Sequence, residues 1–384
     1  MTDKKKQHFV PRCYLKRFSC NQDNKSINIY NFKAAKFITH ARLYDQCHKD
    51  YYYGKDGRLE DVFANIEGIT AKIINKIIAT DRLPDRGSAA HHSLVTFIIS
   101  QIARTESAEH EINESCEKLI KNIASKDRKM QELLDRGLTL DDIHVKLTQP
   151  MQMLFRGVVH SMPLALDLNY KLLINTTNTG FITSDNPVVK YNQFFEHRKR
   201  WGSNTGIATM GLQLFIPLNA QKCLLLYDEK IYRVGNKRAA FAIISDKESV
   251  EQINALQVVN CLNNLYSDQT ISESSVRAVV HKYTPYRSEE KAVLREYEQE
   301  SVGNCKSSLL HTFYPDKKIN LQVMGITVLT SKKSFVMDDR AVYLRNPQLV
   351  EVHREFMGKV EKGLYQFSEF TKYLAEMKAI EESS

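Results

Sequence analysis

The chain has 384 residues, 42% of them apolar and 26% charged, which suits a soluble globular protein of two domains rather than a disordered or fibrous one. It holds no run of about 18 apolar residues, so no helical membrane span is expected, and its charged start lacks the apolar stretch of a secretory signal. The formal net charge is +9, which favours polyanionic partners, and seven scattered cysteines read as the reduced thiols of a cytoplasmic protein.

The positive charge is concentrated at the start. In residues 1–40 nine lysines and arginines stand against only Asp3 and Asp23. Such a face attracts nucleic acid, or is simply a solvated surface. Within it His8-Phe9-Val10-Pro11 runs into Arg12-Cys13-Tyr14-Leu15-Lys16-Arg17-Phe18. Five large apolar or aromatic residues in eleven demand burial, which ties down a terminus that would otherwise fray. His8 is thereby carried inside. There an imidazole serves as acid, base or ligand, or rests as a core histidine bonded to backbone.

Pro11 suits the first position of a short helix over Arg12–Phe18. Ser26–Phe32 and Lys36–Thr39 form a hairpin around Lys33-Ala34-Ala35. A tyrosine-rich loop at 51–53 feeds a helix from Leu59 to about Ala79, whose apolar residues recur at the helical period. A longer helix spans Ser88 to Ser125 with a bend in its polar middle. Gly137 ends a following helix, Thr139 caps another, and Met151–His160 is amphipathic. Short apolar runs then read as strands: Tyr170–Ile174, Gly180–Thr183, Leu212–Pro217, Cys223–Tyr227, Ile231–Val234 and Ala240–Ile244. Helices return over Ser249–Leu265 and Ser272–His281. Past Pro285 lie a helix over Glu290–Glu300, strands at Leu309–Phe313, Leu321–Leu329 and Phe335–Met337, and a long helix from about Pro347. The fold class is α+β. A helix-rich main domain (1–285) holds a central, mostly antiparallel sheet, and a smaller C-terminal α/β appendage (286–384) ends in the long helix.

Taken together, the His8–Pro11 and Tyr14–Phe18 stretches, Leu59-Glu60 with Ile66-Glu67-Gly68, Gln101 with Arg104-Thr105, and Phe181-Ile182-Thr183-Ser184-Asp185-Asn186-Pro187 resemble a bacterial family known as domain of unknown function 4238. The resemblance spans roughly residues 7 to 270 and leaves 288–384 aside. It implies a bacterial cytoplasmic protein and brings no established reaction.

Several groups offer chemistry. Glu60 and Glu67, seven positions apart, share a helix face. They either hold a divalent cation such as Mg²⁺ or Mn²⁺ and divide acid and base work, or simply suit the helix and its dipole. Gln101, Arg104 and Thr105 cluster at i, i+3 and i+4 beside an apolar run. A guanidinium there needs a carboxylate or phosphate, with Asp185 and Glu60 the candidate partners. Arg104 and His110 also match the loose Arg-x5-His spacing of some helical ribonucleases (HEPN proteins). Asp185-Asn186-Pro187 ends a strand, as a catalytic carboxylate or a structural turn. Cys13, Cys20 and Cys47-His48 match no standard zinc spacing. No phosphate-cradling glycine motif and no nucleophile elbow is present. His197-Arg198-Lys199-Arg200-Trp201 sets cations beside an indole, as single-stranded nucleic acid requires, or is a solvated loop.

Two functions follow. One is a metal-assisted hydrolase of nucleic acid, a nuclease effector of a bacterial defence or toxin system. Its catalytic set is His8, Glu60, Glu67, Arg104 and Asp185, with metal held by Glu60, Glu67 and Asp185. Substrate is held by Gln101, Asn186, Arg198, Lys199, Arg200 and Trp201. The other is a non-catalytic module that binds nucleic acid or protein, in which these motifs lock the fold.

Overall fold

A computed structural model describes residues 5–198, 202–287, 291–298, 308–329 and 342–383. The fold is mixed α+β, helix-rich, with several small, mostly antiparallel sheets. Strand β1 (Lys6–His8) pairs with β4 (His48–Asp50), and β2 (Ser26–Asn31) with β3 (Lys36–Arg42). After α1 (Arg12–Leu15) and its 3-10 extension through Phe18, the first long helix is α2 (Arg58–Thr80). The helix expected over 88–125 is two helices, α3 (Ala89–Ala103) and α4 (Glu106–Ala124). Arg104 leaves helical geometry at φ −98°, ψ 7°, and the Thr105 hydroxyl caps α4 by accepting from the Ala108 amide. Ser/Thr caps start helices for this reason. A full break, not a bend, aims Arg104 inward.

Helix α5 (Arg128–Leu134) ends ahead of Gly137, which adopts φ +101°. The helix expected from Thr139 is one 3-10 turn, Leu140–Asp142, and α6 (Pro150–Ser161) follows. A five-stranded sheet has the order β11-β5-β9-β8-β7, formed by β5 (Asn169–Asn175), β7 (Val189–Tyr191), β8 (Gln213–Asn219), β9 (Lys222–Tyr227) and β11 (Phe241–Ile244). Only β11 and β5 run parallel. Its middle strands are covered on both faces, which explains their unbroken apolar runs. Leu172, Leu214, Ile216, Leu224 and Leu226 pack toward Leu94, Val95, Ile98 and the N-terminal Val10, Leu15 and Phe18. The alternate residues Leu173, Phe215, Cys223 and Leu225 pack toward Ile253, Leu256 and Val276.

The helix expected to reach Leu265 is α7 (Lys247–Asn260) and stops there. Asn264–Ser267 is strand β12, which joins β3-β2-β12-β6 with β6 at Thr183–Ser184. Helix α8 is Glu273–Tyr283. The helix expected over 290–300 is strand β13 (Val293–Glu298), antiparallel to β14 (Ser308–Phe313). Cross-strand pairing overrides local propensity there. Of the run 321–329 only Ile326–Val328 (β15) is strand, paired with β10 (Tyr232–Val234), and the run 335–337 lies outside the described residues. The long terminal helix is α9 (Pro347–Glu361) and α10 (Phe370–Ser383), parted where Gly363 adopts φ +72°.

The segment after residue 286 is woven into the main body. Ile319, Leu321, Val323 and Ile326 enter the larger core, and Arg345 docks on Asp167. The Arg345 guanidinium grips both Asp167 carboxylate oxygens and donates to the carbonyls of Leu164, Ile207 and Thr209. Among the described residues no helix is long and apolar enough to cross a membrane.

Candidate functional site

The N-terminal motif is buried, with Phe9, Val10, Tyr14, Leu15 and Phe18 all in the core. What holds it is a clamp on its backbone. Gln101 Nε2 donates to the Phe9 carbonyl at 2.9 Å, and Arg104 Nη2 donates to the His8 carbonyl at 2.6 Å. Arg104 Nη2 also meets Glu67 Oε1 at 2.8 Å, its Nε donates to the Tyr53 hydroxyl at 3.0 Å, and its plane lies 4.3 Å from the Phe63 ring centre. The Tyr53 hydroxyl donates in turn to the His8 carbonyl at 3.0 Å. A buried guanidinium survives only with such a complement. Its ion-pair partner is thus Glu67, neither of the two expected carboxylates. Glu60, in the first turn of α2, acts here at longer range. Burial, and behind it Glu67 and Glu60, holds the Tyr53 phenol protonated against the pull of Arg104.

The His8 imidazole faces away from this clamp's hydrogen bonds. Its Nε2 lies 3.2 Å from the Tyr44 carbonyl, and its ring sits 5.5 Å from that of His48. Burial lowers its pKa to about 4, with the positive neighbours Arg12 and Arg104 adding to the shift, so the ring is neutral at pH 7. Gln101 and Arg104 share a face as expected, whereas Thr105 caps the next helix. Arg104 is buried and bonded through Nε and Nη2, while His110 is exposed on α4.

Asp185 serves a different element. Its carboxylate accepts the amides of Leu262, Asn263 and Asn264 at 2.7–2.8 Å, fixing the turn between α7 and β12. Burial pushes its carboxyl up to about 6, against the three amides, which pull it down. Around it α7 presents an amide ladder that spacing alone did not reveal. Asn254 Oδ1 accepts the Ile182 amide and Gln257 Oε1 accepts the Ser184 hydroxyl, while Asn260 Nδ2 donates to the Asn186 carbonyl. Its signal is present in the sequence, as amides recurring every third residue along the otherwise apolar second half of the helix, residues 253–260.

The expected five-residue pocket is therefore two separate locks. His8, Glu67 and Arg104 share one, and Asp185 belongs to the other. Among the described residues no group of three or more His, Cys, Asp or Glu side chains is placed to hold a metal ion, so the Glu60–Glu67–Asp185 ligand set does not assemble. Arg198 folds back on its own loop, donating to the Phe194 carbonyl with its guanidinium 4.0 Å from the Phe194 ring. Lys199, Arg200 and Trp201 lie outside the described residues.

A larger concavity lies elsewhere among the described residues. A cleft of about 1090 Å³ opens between α4 and β14 on one side and β7 and the α7–β12 turn on the other. Of the described residues expected to form the site, only Asn186 lines it. Lys33, Lys190 and Lys291 line it from three separate segments, all exposed, their ammonium groups without a hydrogen bond or ion pair among the described residues. Arg287 stacks 3.8 Å from the Phe32 ring centre and donates to the Val258 and Leu262 carbonyls. The acids of the wall are already engaged. Glu114 accepts the Ala292 amide at 3.0 Å, and Asp316 accepts the Ser203 and Thr205 hydroxyls at 2.8 and 3.0 Å. Lys33, Lys190, Arg287, Lys291 and Lys317 line it against Glu111, Glu114 and Asp316, a modest positive excess, with rings of Phe32, Phe313 and Tyr314 in its wall.

The family model described as protein of unknown function (DUF4238) matches residues 6–270. That span contains both locks and the Lys33 and Lys190 walls of the cleft, and excludes Lys291 and β14. Neither the curated proteins nor the solved structures compared with the chain gave a match.

Proposed function

We propose that this chain, which belongs to the DUF4238 family, is a module that binds single-stranded nucleic acid in the cationic cleft. The observation that carries the reading is the convergence of Lys33, Lys190 and Lys291 on one concave surface. These are three exposed ammonium groups from distant segments, unpartnered among the described residues. Like charges are held together at a cost unless a polyanion visits, and phosphates recruited there release counterions. Aromatic rings in the same wall offer faces to unpaired bases, which a duplex keeps stacked.

The reading as a metal-assisted nuclease of a defence or toxin system draws less support. Arg104, Glu67 and Asp185 are committed to holding backbone, or to each other, rather than to an open cavity. Binding of labelled oligonucleotides by fluorescence anisotropy at low salt tests the proposal. Affinity for an unstructured strand, weakened in Lys33→Ala/Lys190→Ala/Lys291→Ala, supports it, and no binding to any oligonucleotide removes it.

A further inference from the structure

The cleft does not end at the lysines. It runs on into a second chamber, wide open to solvent, of about 510 Å³, and Glu111, Lys190, Phe313 and Tyr314 line both. Past them the wall turns aliphatic, with Ile99, Ile112, Leu154 and Val158 supplied by α3, α4 and α6. Gly157 of α6 also lines it, and a Cβ added there would meet no atom within 4 Å. Ser115 and Ser161 are among the few polar groups at the margin. A mostly apolar chamber of several hundred Å³ with a few polar groups is the ordinary form of a site for one small organic unit.

We propose that this chamber receives one unstacked base of the bound strand, an inference that rests on the nucleic-acid reading above. Continuity with the lysine-lined cleft selects the occupant. A strand whose phosphates follow Lys33 and Lys291 brings the phosphate next to the inserted unit to Lys190, at the junction of the two spaces. Phe313, shared by both, supplies an aromatic wall to a planar ring. Glu111 supplies acceptor oxygens for base N–H groups. Its Oε1 takes a hydrogen bond from the Ser107 hydroxyl at 3.2 Å, and a carboxylate has several further lone-pair positions. A base leaves its neighbours most readily in a single strand. The ligand class is therefore a base-bearing single strand, and a bare polyanion leaves the chamber empty.

The test uses the full chain, a fluorescent oligonucleotide, the same oligonucleotide with abasic sites, and inorganic polyphosphate as competitor. Gly157→Leu projects a side chain into the chamber and narrows it, and leucine is the better helix former, so the fold is kept; an unchanged melting temperature verifies this. The expected result is that the wild type prefers the base-bearing strand by about tenfold over the abasic one. In Gly157→Leu the affinity falls toward the abasic level, and polyphosphate competes better with what remains than it does with wild-type binding. A preference for the base-bearing strand that Gly157→Leu leaves unaltered overturns the chamber while leaving the cleft reading intact. A fluorescent fatty acid displaced by Gly157→Leu, with oligonucleotide binding unaffected, also overturns it and gives the chamber to an acyl chain. No binding of any oligonucleotide overturns both readings.

Discussion

Arg104 Nη2 and Glu67 Oε1 meet at 2.8 Å, with Arg104 2% exposed and Glu67 23%. The pair sits under the His8 carbonyl, so two helices and the N-terminal strand meet at one guanidinium. Removing one partner of a buried pair costs about 3–5 kcal/mol, because the other charge is left uncompensated. Glu67→Gln should fall at the low end of that range, since Glu67 is partly solvated. Arg104→Lys should lose a similar amount, because an ammonium cannot serve Glu67, Tyr53 and His8 at once. Urea unfolding measures both. Wild-type stability in either variant contradicts the clamp.

Asp185 and the amide ladder predict a second set of losses. Asp185→Ala leaves three partly buried amides without their acceptor and should cost about 2–4 kcal/mol. Asp185→Asn, which turns one acceptor into a donor facing an amide, should lie between it and wild type. Oligonucleotide affinity at a temperature where both remain folded should be unchanged. A loss of binding with wild-type stability would return Asp185 to the functional site.

His8 predicts a pH dependence. Its folded pKa of about 4 lies below the ordinary 6.5, so between these values the unfolded chain binds more protons than the folded one. Stability therefore falls as pH drops from 6.5 to 4. Because the ring is partly exposed, the His8 share is about 1–2 kcal/mol. His91, also lowered to about 4 by burial, acts in the same direction. Unfolding free energies across pH 4–7 should slope less steeply in His8→Gln than in wild type. Identical slopes would show that the imidazole titrates as if in water.

Much of the fold was legible because its signals are local. The α2 stripe, the hairpin at 26–42 and the apolar strands of the central sheet follow directly from periodicity and turn residues. The failures have a common physical cause. Val293–Glu298 is a strand because Ser308–Phe313 pairs with it, and Asn264–Ser267 because β2 and β6 flank it. Neither partner is visible in a local window. For the site, the residue types singled out were those that bury polar groups. His8, Glu67 and Arg104 do meet, yet spacing cannot say that the His8 backbone, not its imidazole, is what Arg104 reads. Lys33 is visible only as one of the basic residues of the N-terminal face, and Lys190 and Lys291 are ordinary one by one; the three gain meaning only by converging.

Arg345 lies outside the family span and yet fastens the C-terminal region to Asp167. Arg345→Ala should strand the half-buried Asp167 carboxylate and three carbonyls, at about 3 kcal/mol, the low end for a buried pair. Limited proteolysis should then cut near residue 342 sooner than in wild type. Equal protection in the variant would mean that β15 pairing alone holds the segment.

The cleft account is tested most directly by the salt dependence of single-strand binding. Every phosphate deprived of its lysine should flatten the slope of log affinity against log salt by about 0.7. Lys33→Ala/Lys190→Ala/Lys291→Ala, all surface changes, should keep the melting temperature, weaken binding at low salt and flatten the slope by about 2. An unchanged slope with unchanged affinity in this variant would contradict the account.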